Sequence, residues 1–281
     1  MGVLDPAVAR KTWRTLEPIH GFVYFSPDAE AAYVAAGLKP GRMGYFASRS
    51  APMGAVAAEV VIATFFNFNH SLVRSVIPEA WSLSTPGRVL EARLSIVDAG
   101  LRRMLGDGVA SPELAEAAEL ARTAAEAACE RPEGRPLFAG HASLLWPDEP
   151  HLVLWHAQSL LREFRGDAHV AALTLQGQSG LDALVCHAAS GDVPAEALRT
   201  TRAYSEAEWA AGVESLAARG VVNADGTFTD AGRAGRDEVE RLTDEQSVAP
   251  YAAIGEDGCD RLRALARPFS KVISEAAFGG R

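Results

Sequence analysis

Apolar positions recur at helical spacing along nearly the whole chain, and strand-like alternation is confined to one short stretch. Asp5 and Pro6 open a first helix, and Ser26 with Pro27 a second that ends before Gly37. The segment GRMGYFASRSAP, residues 41–52, reads as a loop or short extended piece. Residues 53–66, MGAVAAEVVIATFF, are apolar on every face except at Glu59, the pattern of a helix at the centre of the core. Asn67 stops that helix and Asn69 caps the next. Ser84-Thr-Pro starts a longer helix reaching Leu105, and Ser111-Pro112 an Ala/Glu-rich one ending near Glu130, which together suggest an antiparallel hairpin. Residues 131–147 read as a linker. Asp148, Glu149 and Pro150 supply the acidic first turn of a helix to Phe164 that Gly166 ends. Asp167 and Ser179 then cap two short helices, and residues 258–278 are helical with a break at Pro268.

Within residues 176–245 the order of signals becomes specific. A helix over 180–189 is followed by VPAEALRTTRA, a turn at Tyr204, and SEAEWAAGVESLAARG, which opens with a capping box of Ser205 and Glu208. VVNADGTFTDAGR then offers two short extended pieces about Asp225-Gly226 and a helix capped by Thr229. With its LAARGVV and FTDAGR, this stretch resembles the winged helix of MarR-type regulators, which implies a helix-turn-helix with a small β-hairpin as its wing. The expected fold is mainly α: a multi-helix N-terminal region with a candidate ligand site (1–175), the winged helix-turn-helix (176–245), and a C-terminal helix packing back on the core (246–281).

Charge weakens the function that this resemblance implies. Residues 176–245 carry thirteen Asp and Glu against six Arg and no Lys. The expected reading helix, 205–219, carries Glu206, Glu208 and Glu214 against one arginine at its far end, so two glutamates sit where base edges and phosphates would be met, and the wing has Asp225 and no basic residue. DNA binding is therefore not expected, although a homodimer placing Arg199 and Arg202 at the contact is a route to it. The chain as a whole has a net charge of −9 and 48% hydrophobic residues, enough to bury a sizeable core. It shows no signal-peptide pattern and no apolar run of membrane length, so a cytoplasmic protein without membrane attachment is expected. Cys129, Cys186 and Cys259 lack any CxxC pairing and read as reduced packing residues.

Candidate chemistry lies in the helices before that segment. Glu59, a carboxylate in an apolar helix, calls for a partner, with Arg49 or His20 the nearest choices, or else acts as a general acid or base. On the helix after Pro150, His151, Trp155, Gln158, Arg162 and Arg165 form one stripe, flanked on the far edge by His156, Ser159 and Glu163. An aromatic, an amide, an imidazole and two guanidiniums suit a planar or anionic ligand. Their competing reading is structural, with arginines paired to acids and Trp155 packed. Asn67, Asn69 and His70 at a helix junction are further ligand candidates, with capping as the alternative. No HExxH, HxH or facial-triad spacing occurs, and no GxGxxG after a strand, GxxxxGK[ST] or GxSxG is present, so neither a metal nor another cofactor is expected.

Residues 45–69, YFASRSAPMGAVAAEVVIATFFNFN, and 146–173, WPDEPHLVLWHAQSLLREFRGDAHVAAL, resemble an actinobacterial helix-turn-helix family. The resemblance implies a mainly helical fold and an actinobacterial origin, and carries no catalytic residue with it. The leading expectation is a small-molecule-binding protein, in its sharper form an enzyme of specialised metabolism. Glu59 and His156 would then move protons while His20, Arg49, Trp155, Arg162 and Arg165 hold the ligand. A ligand-responsive MarR-like regulator and a structural or partner-binding module stand as alternatives.

Overall fold

The structure is a computed structural model that describes residues 4–279. Among these it holds α1 (Pro6–Gly21), α2 (Ala29–Ala35), α3 (Arg42–Ser50), α4 (Ala58–Phe65), α5 (His70–Leu83), α6 (Pro86–Leu105), α7 (Pro112–Cys129) and α8 (Pro136–Ala142). There follow α9 (Pro150–Leu175), α10 (Gly180–Ala189), α11 (Ala195–Thr201), α12 (Glu206–Ala218), α13 (Asp230–Gln246), α14 (Val248–Ala252) and α15 (Gly255–Phe278). The chain divides into two units. The first takes residues up to Val56, Glu79–Asp167 and those from Asp244 onward; the second takes Ala57–Pro78 and Ala168–Thr243. Among the described residues no helix is long and apolar enough to cross a membrane.

Local signals explain most helix starts. Asp5, Thr85 and Ser111 each accept a backbone N–H from the first turn of α1, α6 and α7, and each is followed by a proline that needs no such partner. Ser205 and Glu208 form both bonds of a capping box on α12. In the first unit α15 lies against α1, α6 and α7. The side of α7 facing α14 and α15 includes Ala117, Ala121, Ala124, Ala125 and Ala128, all essentially inaccessible, and such short side chains let helices approach closely. In the second unit Val185, Cys186, Leu216 and Val222 form the small core of the helix-turn-helix.

Several local expectations are corrected. Residues 41–52 are helical, not a loop: α3 runs straight through Gly44, where a Cβ would stand 2.5 Å from Cδ2 of Tyr33. That glycine serves a close approach and not a turn. The long buried helix over 53–66 is shorter, because Gly54 at φ +85° breaks it, and α4 begins only at Ala58 with Glu59 and Val60 turned to solvent. Instead of meeting simply as a hairpin, α6 and α7 both pack on α15. The 131–147 linker contains α8. Neither Gly166 nor Pro268 stops its helix, and α9 and α15 are each continuous. Asp167 accepts not from its own helix but from Phe138 N at 2.8 Å, at the start of α8.

The β-hairpin is absent. Among the described residues there is no strand, only an isolated antiparallel bridge between Val222 and Phe228. Too little backbone is available for a ladder. Thr229 already accepts from Gly232 N to start α13, and the turn at Gly226 consumes the middle. The Asn223 and Asp225 side chains bond locally to Thr227, satisfying polar groups within the turn.

Two glycines of α6 test this packing. A Cβ at Gly100 would lie 2.6 Å from Cε2 of the buried Phe22 ring, whereas Gly87 has nothing within 4 Å. In chemical denaturation Gly100→Ala is expected to lose about 1–3 kcal/mol, and Gly87→Ala to be neutral or gain up to about 1 kcal/mol.

Candidate functional site

Within the first unit α9 is buried along its whole surface from His151 to Leu161, so both of its polar edges, and not one, face protein. Its apolar positions Leu154, Ala157, Leu161 and Phe164 join the main core. Around the remaining side chains gathers a polar cluster from α1, α3, α6, α8 and α9. Glu163 is its only fully buried carboxylate: Arg162 Nη1 donates to its Oε1 at 2.7 Å and Arg49 Nη2 stands 3.8 Å away. Burial alone would raise the Glu163 carboxyl, but Arg162 and Arg49 overcome it and hold the group below the usual carboxylate range. Glu17, half-buried, lies 3.7 Å from Arg162 Nε, and desolvation pushes its carboxyl up.

Arg93 is the second centre of the cluster. It occupies the apolar stripe of α6 with Val89, Ile96, Val97 and Gly100, and it is only 2% exposed. Its Nη1 donates to the Ser48 carbonyl at 3.2 Å and faces His141 Nε2 at 3.3 Å, while Nη2 donates to the Tyr24 hydroxyl at 3.1 Å. Since guanidinium can only donate, His141 Nε2 accepts, and its Nδ1–H donates to the Leu137 carbonyl at 2.9 Å. The indole of Trp155 lies 5.1 Å from the guanidinium carbon. His20 stacks on Trp155 with ring centroids 6.2 Å apart, and bonds Ser159 Oγ at 2.9 Å and the Tyr24 hydroxyl at 3.0 Å.

A cavity of ≈ 210 Å³ adjoins this cluster, lined by Tyr24, Tyr33, Tyr45 and Ser48 together with Val23, Ser26, Ala29, Glu30, Lys39, Gly41 and Gly44. Two of its tyrosine hydroxyls accept from buried guanidiniums, Tyr24 from Arg93 and Tyr45 from Arg49 at 2.9 Å. Lys39 pairs with Glu79, and Glu30 accepts from Gly41 N at 2.9 Å.

The residues singled out in the sequence are distributed unevenly. His20, Arg49, Trp155, Gln158 and Arg162 are in or beside the cluster, and Gln158 is wholly inaccessible with neither amide atom hydrogen-bonded. His156 is buried against the edge of Trp146, ring centroids 4.7 Å apart, with Nε2 unpartnered. His151 bonds Asp98 at 2.7 Å. Asp98, Glu149 and His151 could together face a cation, yet Arg102 already bonds both carboxylates. Arg165 pairs with Asp244 at 2.7 Å and lies over Trp13, a structural position.

In the second unit Glu59 is exposed and accepts from Arg74 Nε at 3.2 Å, so the buried-carboxylate expectation is corrected and its expected partners Arg49 and His20 are engaged elsewhere. Its own backbone N–H, ahead of Arg74, holds the carboxyl below its ordinary value. Asn67 follows Phe66, a residue at φ +60°, and its N–H bonds Phe65 O at 2.6 Å. Asn69 caps α5 through Ser71 N and bonds Glu208 at 3.0 Å, and His70 is exposed. Tyr24, Tyr45, Arg93 and His141 were not legible as site residues. Arg93 alone left a signal, an arginine on an apolar stripe.

Burial pushes His141 down to about 4 and His156 to about 3. Both folded values lie below the unfolded 6.5, so stability present near neutrality is lost as pH falls from 6.5 toward 4. Asp167, raised from 3.8 to about 6 by desolvation, works in the opposite sense over nearly the whole of that window, offsetting part of the loss from the two histidines. Urea unfolding across this range is expected to show falling stability, and His156→Phe to remove roughly 2–4 kcal/mol of that dependence.

In comparison with known proteins, the model of the Helix-turn-helix family aligns with residues 9–279. No curated protein and no solved structure matches the chain. The family alignment takes in the cluster-bearing helices as well as α10 to α13, and so the chain belongs to the Helix-turn-helix family.

Proposed function

We propose that this protein binds a small molecule in the cavity bounded by Tyr24, Tyr33, Tyr45 and Ser48, and that its helix-turn-helix does not read DNA in the customary way. The observation that carries the first part is the polar cluster behind that cavity. Each buried unsatisfied polar group costs about 1–3 kcal/mol, and Gln158, Trp155 Nε1 and Arg93 Nε add several such groups to a core that leucine would fill more stably. Burial, linked guanidiniums and an adjoining cavity are the usual marks of a binding site.

The second part rests on where the arginines of the helix-turn-helix go. Arg199 pairs with Glu206, Arg219 with Asp182, Arg236 with Glu240 and Arg241 with Glu238, while Arg202 lies over Phe68 and Arg233 over Phe228. α12 exposes Glu206, Glu208 and Glu214 among alanines. Little cationic surface remains to release counterions from phosphates. Family membership favours a second reading, a ligand-responsive DNA-binding regulator, in which a bound ligand or a dimer would have to redirect those arginines.

Native mass spectrometry of the purified protein is expected to show a small-molecule adduct that denaturation releases and that Ala29→Phe, which fills the cavity, lacks. A bare chain in both proteins counts against the reading. Gel shifts on genomic fragments at low salt are expected to show no retardation; a shift that added salt abolishes would favour the regulator.

A further inference from the structure

Arg93 is a buried cation without an anion. Its hydrogen-bond partners are a carbonyl, a neutral imidazole and a phenol, and among the described residues no carboxylate stands within ion-pair distance of it. The other charges of the cluster balance among themselves: buried Arg49 faces Glu163, and half-buried Arg162 faces Glu163 and Glu17. Taking a guanidinium out of water costs several kcal/mol that only a counter-charge or a full set of strong bonds offsets. Here Nε has no partner, and the neutral contacts and the Trp155 face compensate only in part.

The two residues that Arg93 holds by hydrogen bonds from Nη1 and Nη2, Ser48 and Tyr24, are both walls of the cavity. The cation therefore stands directly behind a wall of this cavity, while the Tyr24 O–H is given to His20 Nε2, because Ser159 Oγ donates to the Trp155 carbonyl and so takes the Nδ1–H of His20. At the mouth, Lys39 is matched by Glu79 and Glu30 by a backbone N–H, so the unbalanced charge is the interior one. The volume, ≈ 210 Å³, exceeds what a single inorganic ion needs, since a water molecule's share of the liquid is about 30 Å³. The flanking aromatic rings of Tyr24, Tyr33 and Tyr45 offer an apolar body something to lie against.

We infer that the ligand of this cavity is a small organic carboxylate, its body against the tyrosine rings and its charge answering Arg93 through the Tyr24 side of the wall. The inference rests on the ligand-cavity reading above and sharpens it to one chemical class.

Thermal unfolding of the full chain at constant ionic strength tests it with three probes: benzoate, its neutral isostere benzamide, and inorganic phosphate. Benzoate is expected to raise the unfolding midpoint saturably, with benzamide and phosphate at least tenfold weaker. Ala29→Phe, which fills the cavity without changing a charge, is expected to abolish the benzoate shift. Arg93→Met is expected to abolish it while the free protein stays folded, because the substitution removes an unbalanced buried charge. Should Arg93→Met fail to fold, Arg93→Gln, which keeps an N–H donor inside the core and removes the charge, is expected to weaken benzoate severalfold and leave benzamide unchanged. Equal shifts from benzamide and benzoate would overturn the carboxylate inference while leaving a binding cavity in place. Phosphate equal to benzoate would overturn the organic class, and a benzoate effect that survives Ala29→Phe would overturn the location. No shift from any probe overturns both the inference and the reading beneath it.

Discussion

The interior of the first unit depends on how α9 disposes of the charge it carries inward. Glu163, inaccessible on that helix, meets the guanidiniums of Arg162 and Arg49, and around this centre the chain brings together α1, α3, α6 and α8. A lone carboxylate at such a depth would be neutralised or expelled. Two arginines make it tolerable, and one of them, Arg49, lies over the rings of Tyr24 and Tyr45, the first of which His20 bonds. Replacing such an ionic core by hydrocarbon is often neutral or stabilising. Its presence beside a cavity is what turns a packing question into a functional one.

The second unit follows another logic. Its helix-turn-helix closes on a few apolar residues, and close approaches at Gly180, Gly212 and Gly232 set the spacing of its elements. A Cβ at Gly232 would stand 1.9 Å from the Val221 carbonyl, so the segment leading to the Val222–Phe228 bridge is pressed onto α13. Its arginines are spent on nearby carboxylates and aromatic rings. A helix-turn-helix is thus present with exposed glutamates on α12, and a shared fold does not by itself fix a partner.

Much of the helical layout was legible in advance because caps act locally. Asp5-Pro6, Thr85-Pro86, Ser111-Pro112 and the Ser205–Glu208 box place their helix starts without reference to the rest of the molecule. The same local logic misled at Gly44, Gly166 and Pro268. There tertiary burial keeps a helix running through residues that isolated helices avoid. It misled also at residues 221–229, where a turn signal announced a ladder that the neighbouring caps left no room to form.

For the candidate site the division is sharper. The sequence by itself determined the α9 stripe, because i, i+4 and i+7 spacing needs only a helix, and it determined the acidity of α12, because charge is a property of composition. It could not determine which carboxylate is buried. Glu59 sits in the more apolar neighbourhood yet faces water, while Glu163, on a helix rich in polar groups, is enclosed. Nor could it join Arg93 to Tyr24 and His141, 69 and 48 residues away. Burial and ion pairing are set by which helix faces meet across the core, a long-range property of packing that periodicity along a single segment does not contain.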